Sequence, residues 1–285
     1  MPFARLLDCS KEQYHADPTE VPSLSYSVAK ILLTESPMHA YYYHPRLGGH
    51  VREQTKAMGK GQVIHKLLLG IGADIVVVRA DNFRTKAAQE LRDAAIAAGK
   101  TPIIAHEYDG IVAAAETIRE RLAEYDIDLM ALHALREQAF EWDEETENGP
   151  VRCRGMADYL DLTNGVLLDP KSAACAHPLK VKRIITDMAY DIQAAAYSSA
   201  VEKLNPELLG RVDFGWPFVE LEAPYAVLPA RPTESMKEMG RMRWRRAVLL
   251  WQKCLSTGKW PGYSDGWVNM APTDWAMSQE LEAQE

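Results

Sequence analysis

The chain has 285 residues, of which 47% are hydrophobic and 25% charged, enough for one large domain with a full core and ordinary for a globular protein. No apolar run approaches the length of a membrane span, and the first residues lack a signal-peptide core, so a cytoplasmic protein with no membrane association is expected. The formal charge of −8 argues mildly against a nucleic-acid partner, because such surfaces are normally basic.

Residues 1–22 are polar and aperiodic and read as a loose leader. Ser25 or Ser27 can cap a helix carrying Val28, Ile31 and Leu32, ended near Pro37. His39 to Pro45 reads as a short aromatic helix whose histidines are structural. Residues 57–70 form a helix with Val63, Ile64, Leu67 and Leu68 on one face. His65 sits among them, where a lone histidine is more often a core residue than a ligand. Asp74 to Arg79 is a β-rich run, and Lys86 to Ala98 is helical. Gly99-Lys100-Thr101 mimics the tail of a phosphate-binding loop, but Ala94 stands where the first glycine is required and a helix precedes it, so that motif is rejected.

Residues 110–126 and 129–136 read as two further helices, and Gln138 to Glu144 as the first strand of a sheet. Beyond Lys171, residues 172–186 read as a loop with a short basic segment. A helix over 187–204, strands over 214–221 and 225–228, and a long helix over 234–255 follow. Residues 271–285 form an acidic tail expected to be disordered. Residues 23–270 then make a single domain. Cys9, Cys153, Cys175 and Cys254 include no C-x-x-C pair, so reduced, mostly buried thiols are expected rather than a zinc or iron–sulfur site. The basic groups Arg152 and Arg154, then Lys180, Lys182 and Arg183, then Arg241, Arg243, Arg245 and Arg246 are candidate DNA contacts, though any one of them alone is ordinary solvated surface.

The chemistry concentrates between Val151 and Ser172. Asn164-Gly165 between two apolar-rich runs signals a hairpin with a two-residue turn. With that turn Thr163 pairs with Val166, Asp158 lies opposite Lys171 and Leu160 opposite Asp169. Directly paired residues share a face, so Asp158, Asp169 and Lys171 project together. They are either a solvated face or, sunk among Met156, Ala157, Leu167 and Leu168, carboxylates that need a partner or a metal. Pro170 removes a ladder donor, so the strand should fray or bulge there.

Asp158 followed by Asp169-Pro170-Lys171 resembles the core of the PD-(D/E)xK nucleases. Tyr190-Asp-Ile-Gln193-Ala-Ala-Ala-Tyr197 resembles the Q-x-x-x-Y element of their RecB-like branch, and Gly61 to Leu69 resembles its histidine motif. In order, these elements are most similar to the RecE-type exodeoxyribonucleases (the exonuclease VIII nuclease domain), from about Leu24 to Tyr263. The resemblance implies an α/β fold, a restriction-endonuclease-like core of a central mixed sheet flanked by helices, with extra N-terminal and inserted helices. It also implies Asp158, Asp169, the Pro170 backbone carbonyl and His65 as ligands of Mg²⁺, with Mn²⁺ able to substitute and no iron–sulfur cluster. Lys171 would act on the attacking water or the developing charge, and Gln193 and Tyr197 would position phosphate or brace Lys171. The implied activity is 5′-to-3′ degradation of double-stranded DNA ends in phage-type recombination. The implied partners are a single-strand annealing protein and further copies of the chain. A structure-specific or Cas4-like nuclease without its cluster, or a catalytically silent DNA-binding protein, are the alternatives.

Overall fold

The computed structural model describes residues 3–50 and 56–283. In chain order the elements are β1 (Ala4–Leu7), α1 (Lys11–His15), β2 (Leu24–Ser25), α2 (Tyr26–Thr34), α3 (Pro37–Tyr43), α4 (Lys56–Leu69), β3 (Ile75–Val78), α5 (Lys86–Ala97), β4 (Thr101–Ile104) and α6 (Ala105–Ala123). There follow β5 (Leu135–Glu144), β6 (Val151–Asp161), β7 (Val166–Leu168), β8 (Lys171–Ala173), α7 (Pro178–Asp187), α8 (Tyr190–Leu204), β9 (Asp213–Glu220), β10 (Val227–Ala230), α9 (Glu234–Thr257) and α10 (Asp274–Glu282).

The main sheet has eight strands, running β1-β5-β6-β7-β9-β10, with β2 added beside β6 and β8 beside β9. It is mixed: β5, β6 and β7 are antiparallel, while β7 and β8 both run parallel to β9. One face packs against α2, α8 and α9 through Phe140, Trp142, Trp216, Phe218 and Trp251. The other carries α4 and α6 over Tyr159, Leu168 and Val219. Helices on both faces of a sheet bury apolar side chains from both sides of each central strand. The expected class, a central mixed sheet flanked by helices, is the observed one.

Two close approaches set the helix layer. A Cβ on Gly155 of β6 would lie 2.5 Å from the Phe140 ring and 2.8 Å from that of Tyr197, so only glycine lets α8 lie this near the sheet. A Cβ on Gly240 of α9 would lie 2.3 Å from the Asp191 carbonyl oxygen. Beside that contact, Arg243 holds both carboxylate oxygens of Asp191 at 2.8 and 2.9 Å.

Several expectations are corrected. The leader is not loose over its described residues: β1 pairs with β5 as an edge strand. Its α1 closes with a capping box at Ser10, and Asp17 is buried among Thr19, Ser23, His44 and Arg154. Residues 129–136 make no helix; they turn and then enter β5. Thr101–Ile104, to which the sequence assigned no element, is a strand parallel to β3 in a separate two-stranded sheet. The acidic tail contains α10, although that helix buries none of its residues. Residues 1–2 and 284–285, the ends of the expected leader and tail, lie outside the described residues.

Candidate active site

The β6–β7 hairpin is built differently from a two-residue turn. Asp161, not Thr163, pairs with Val166, and Leu160 pairs with Leu167. The Asp161 carboxylate accepts from the Thr163 and Asn164 amides at 2.9 and 3.0 Å and from Asn164 Nδ2 at 2.7 Å. That capture stabilises a four-residue turn over 162–165, in which Gly165 alone takes a positive φ, of 72°. A type I′ turn needs positive φ at both central residues. The register is displaced by two residues, so Asp158 does not face Lys171. Continued one step past the pair Tyr159–Leu168, it sets Asp158 against Asp169. A shift of two preserves the face, which is why the carboxylates still meet.

After Leu168 the chain leaves β6. Asp169 donates its amide to the Gly215 carbonyl at 3.0 Å, Asp169 and Pro170 belong to no strand, and Lys171 opens β8 against Phe218 of β9. The break expected at the proline is present. The sheet forks there, because β6 and β8 run to different neighbours, and the charged side chains converge at the fork. Lys171 Nζ pairs with Asp169 Oδ2 and lies 4.6 Å from the centre of the Tyr190 ring, a cation–π distance. The Asp158 and Asp169 carboxyls are close enough for each to shift the titration of the other. His65 Nε2 of α4 is 3.0 Å from Asp158 Oδ1. His65 is therefore part of the cluster, on the helix that covers this end of the sheet.

The electrostatics are those of like charges buried together. Burial, joined by the repulsion of Asp158, outweighs the attraction of Lys171 and brings the Asp169 carboxyl up to about 6. Asp158 goes the other way, to about 2: burial opposes its charge, but hydrogen bonding and attraction from His65 and the charge of Lys171 outweigh it. Burial also opposes charge on Lys171, yet Asp169 foremost, with Tyr190 and Asp158, holds its pKa above the usual lysine range, so it stays an ammonium. For His65, burial is outweighed by Asp158, and its pKa is raised.

Gln193 and Tyr197 are both buried on α8. Tyr197 is 6% exposed; its ring stands edge-on to Phe140 and its hydroxyl oxygen accepts from the Met156 amide at 3.4 Å. It supports β6 from below at the strand segment between its contacts with β2 and β7. Gln193 is buried, and its Oε1 has no hydrogen-bond donor among the described residues.

The expected DNA contacts divide. Arg152 spans Asp143 and Glu141 at 2.7 and 2.8 Å and sits 4.0 Å over the Phe3 ring. Arg154 is 4% exposed and bonded to Ser23 and Asp17. Both are internal ties of the sheet edge, spent on the carboxylates of β5 and of the leader, and neither can meet a phosphate. Lys180, Lys182 and Arg183 are exposed on α7. Cys153 and Cys254 are buried, Cys9 half-buried and Cys175 exposed, all as free thiols.

Sequence reading missed Glu137. Its backbone is left-handed, with φ 46°, and it occupies the one ladder step absent between Arg136–Tyr159 and Gln138–Ala157. That step places it across from Asp158. A positive φ on a glutamate has no sequence signature, and only the paired strand shows which residue it faces.

Among the described residues no three His, Cys, Asp or Glu side chains stand as a finished metal cage. The donor set nevertheless fits a hard divalent cation. It offers two crowded, buried carboxylates and an imidazole.

An α/β sheet that forks over two carboxylates and a lysine is the layout of a phosphodiester-cleaving nuclease. The PD-(D/E)XK nuclease superfamily model matches residues 23–259, and the chain belongs to that superfamily. Its members generally use divalent metals such as Mg²⁺. No curated protein matches the chain in sequence. Among solved structures, a candidate exonuclease from Eubacterium rectale superposes with a TM-score of 0.60 at 14% identity, over 95% of this chain and 98% of that one. At that identity the likeness is one of fold. A second, the protein SSO0001, has a TM-score of 0.29 at 11% identity over 70% of this chain and 88% of that one, and carries no argument.

Proposed function

We propose that this protein is a Mg²⁺-dependent deoxyribonuclease that degrades double-stranded DNA from its ends in the 5′-to-3′ direction, as a RecE-type exonuclease does in phage-type recombination. The observation that carries the reading is the meeting of Asp158, Asp169, Lys171 and His65 at the fork of the sheet. Asp158, Asp169 and His65 would hold the ion, with the Pro170 backbone carbonyl beside them. Bound there, a divalent cation neutralises phosphate charge and lowers the pKa of water.

The chain's own residues supply the rest. The Lys171 ammonium, fixed between Asp169 and the Tyr190 ring, stabilises the charge that grows on the phosphoryl oxygens. It stays protonated, which suits an electrostatic role better than that of a base. Gln193 braces the site from α8, and Tyr197 fixes the height of β6 beneath Asp158. Lys180, Lys182 and Arg183 give α7 a basic face for the phosphate backbone, next in sequence to β8. The end-directed mode rests on the motif order and on the fold shared with the Eubacterium rectale candidate exonuclease. In the same reading the enzyme works in the cytoplasm, hands its product to a single-strand annealing protein, and assembles with further copies of itself.

Purified protein incubated with end-labelled linear duplex and with covalently closed circular duplex, in Mg²⁺ and in EDTA, tests this. Mg²⁺-dependent loss of the linear duplex with the circle spared is expected. Cutting of the circle at a similar rate would make it an endonuclease, and no cleavage of either would overturn the nuclease reading.

A further inference from the structure

We infer that Glu137 is a positioning residue for His65, and that Lys11 of the N-terminal segment sets Glu137 in place. The inference rests on the proposed metal-dependent nuclease reading and deepens it.

The imidazole of His65 lies between two acids. Nε2 faces Asp158 Oδ1 at 3.0 Å, and Nδ1 faces Glu137 Oε1 at 3.5 Å. The acids occupy facing steps of β5 and β6, so a single ring bridges both strands. A ligating histidine normally gives its second N–H to a carboxylate or carbonyl, which fixes the tautomer and the ring plane. Glu137 is on the correct side for that role, behind the ring and away from Asp169. With Nδ1 turned to Glu137, Nε2 is kept beside the Asp158 carboxylate, where a bound cation would take the place of the proton it now donates.

Glu137 is itself constrained. Lys11 Nζ donates to the same Oε1 at 2.6 Å, the side chain is only 10% exposed, and the backbone is left-handed at φ 46°. Left-handed backbone is unfavourable for a glutamate, so an ordinary strand residue at this position would not adopt it without compensation. The conformation places the carboxylate behind His65. The Lys11 contact adds a role for the leader: the first residue of α1 clamps the acid that orients the histidine.

Mn²⁺ affinity by calorimetry, measured beside cleavage and melting temperature, tests this on Glu137→Ala, Glu137→Gln, Lys11→Ala and His65→Ala. Glu137→Ala should weaken Mn²⁺ binding by about tenfold to a hundredfold, with cleavage restored as Mn²⁺ is raised. Glu137→Gln keeps an oxygen for Nδ1–H and should recover most of the loss. Lys11→Ala, far from the ion, should show the same defect in weaker form. A merely structural role would instead lower the melting temperature and leave the Mn²⁺ affinity of the folded protein unchanged. Wild-type affinity in both Glu137→Ala and Lys11→Ala, with His65→Ala impaired, overturns this inference alone. Wild-type affinity in His65→Ala overturns the ligand assignment and this inference together. Should Glu137→Ala fail to fold, Lys11→Ala decides, because its exposed side chain can be removed without opening a cavity.

Discussion

Replacing Asp169 by Asn should make the metal-free protein more stable at pH 8 and inactive at any metal concentration. Asn matches the protonated carboxyl in size and lacks its charge. Burial and the neighbouring Asp158, set against the attraction of Lys171, bring the native carboxyl from 3.8 to about 6. That difference of about two units corresponds to about 3 kcal/mol that the native state spends on keeping Asp169 ionised. The sign follows from proton binding. A carboxyl with a raised native pKa binds more protons folded than unfolded between 3.8 and about 6, so its contribution to stability grows as pH falls through that window. The gain from Asn should therefore be largest above pH 7, up to about 3 kcal/mol or several degrees in Tm, and should shrink toward zero below pH 4. Thermal melts of both proteins in EDTA from pH 4 to 8 measure it. Mn²⁺ should raise the Tm of the wild type but not of the variant, because only a bound state gains from mass action. A variant several degrees less stable at pH 8 would show that the Lys171–Asp169 pair outweighs the crowding of charge, and would refute the reasoning.

Lys171→Ala should abolish cleavage while Mn²⁺ affinity changes far less than in Asp169→Ala; equal losses of affinity in a calorimetric comparison would remove the division of roles between ammonium and carboxylate. Gly240→Ala should cost about 1–3 kcal/mol by overpacking, since its Cβ would meet the Asp191 carbonyl at 2.3 Å; an unchanged denaturant midpoint would contradict the close helix contact. Glu144 ends β5, at the other end of the strand from Glu137, and accepts from Trp142, Ser199, Lys203 and Trp244. Burial opposes its charge, but Lys203 and the hydrogen bonds hold its pKa below the usual value. Its stabilisation is thus present above the unfolded pKa and lost as pH falls through the native one. Glu144→Ala should cost about 3 kcal/mol by stranding Lys203 and the indole N–H groups, with cleavage per folded molecule unchanged; stability equal to the wild type at pH 7 would count against it.

What the sequence made legible was periodicity and order, and what it hid was register and backbone conformation. The helix start at Ser25, the helix over His65 and the long helix from Glu234 all follow from caps and apolar spacing. The leader was misread because β1 is an edge strand held by ladder bonds to β5, and ladder bonds to a distant strand leave no local pattern. Arg152 and Arg154 were misread for a related reason. Their partners, Asp143, Glu141, Asp17 and Ser23, come from other segments, so an arginine tying the sheet edge looks in sequence like one waiting for phosphate.

The hairpin shows how a wrong local detail can leave a site intact. Asp161 captures the turn amides and moves the pairing by two residues, yet strand faces repeat every two residues. A shift of one would have turned Asp158 away from Asp169 and buried its charge without a partner among the apolar side chains of the opposite face. The apolar pattern of β6 and β7 therefore restricts the register to steps of two. Within that restriction the carboxylates must share a face, whichever turn closes the hairpin. The turn sets Asp158 against Asp169, and the break at Pro170 releases Lys171 to β9 and leaves Asp169 at the fork. Two acids crowded there by a pairing the turn cannot undo, with a lysine arriving from the next strand, gather the charge on which the proposed metal-dependent reading rests.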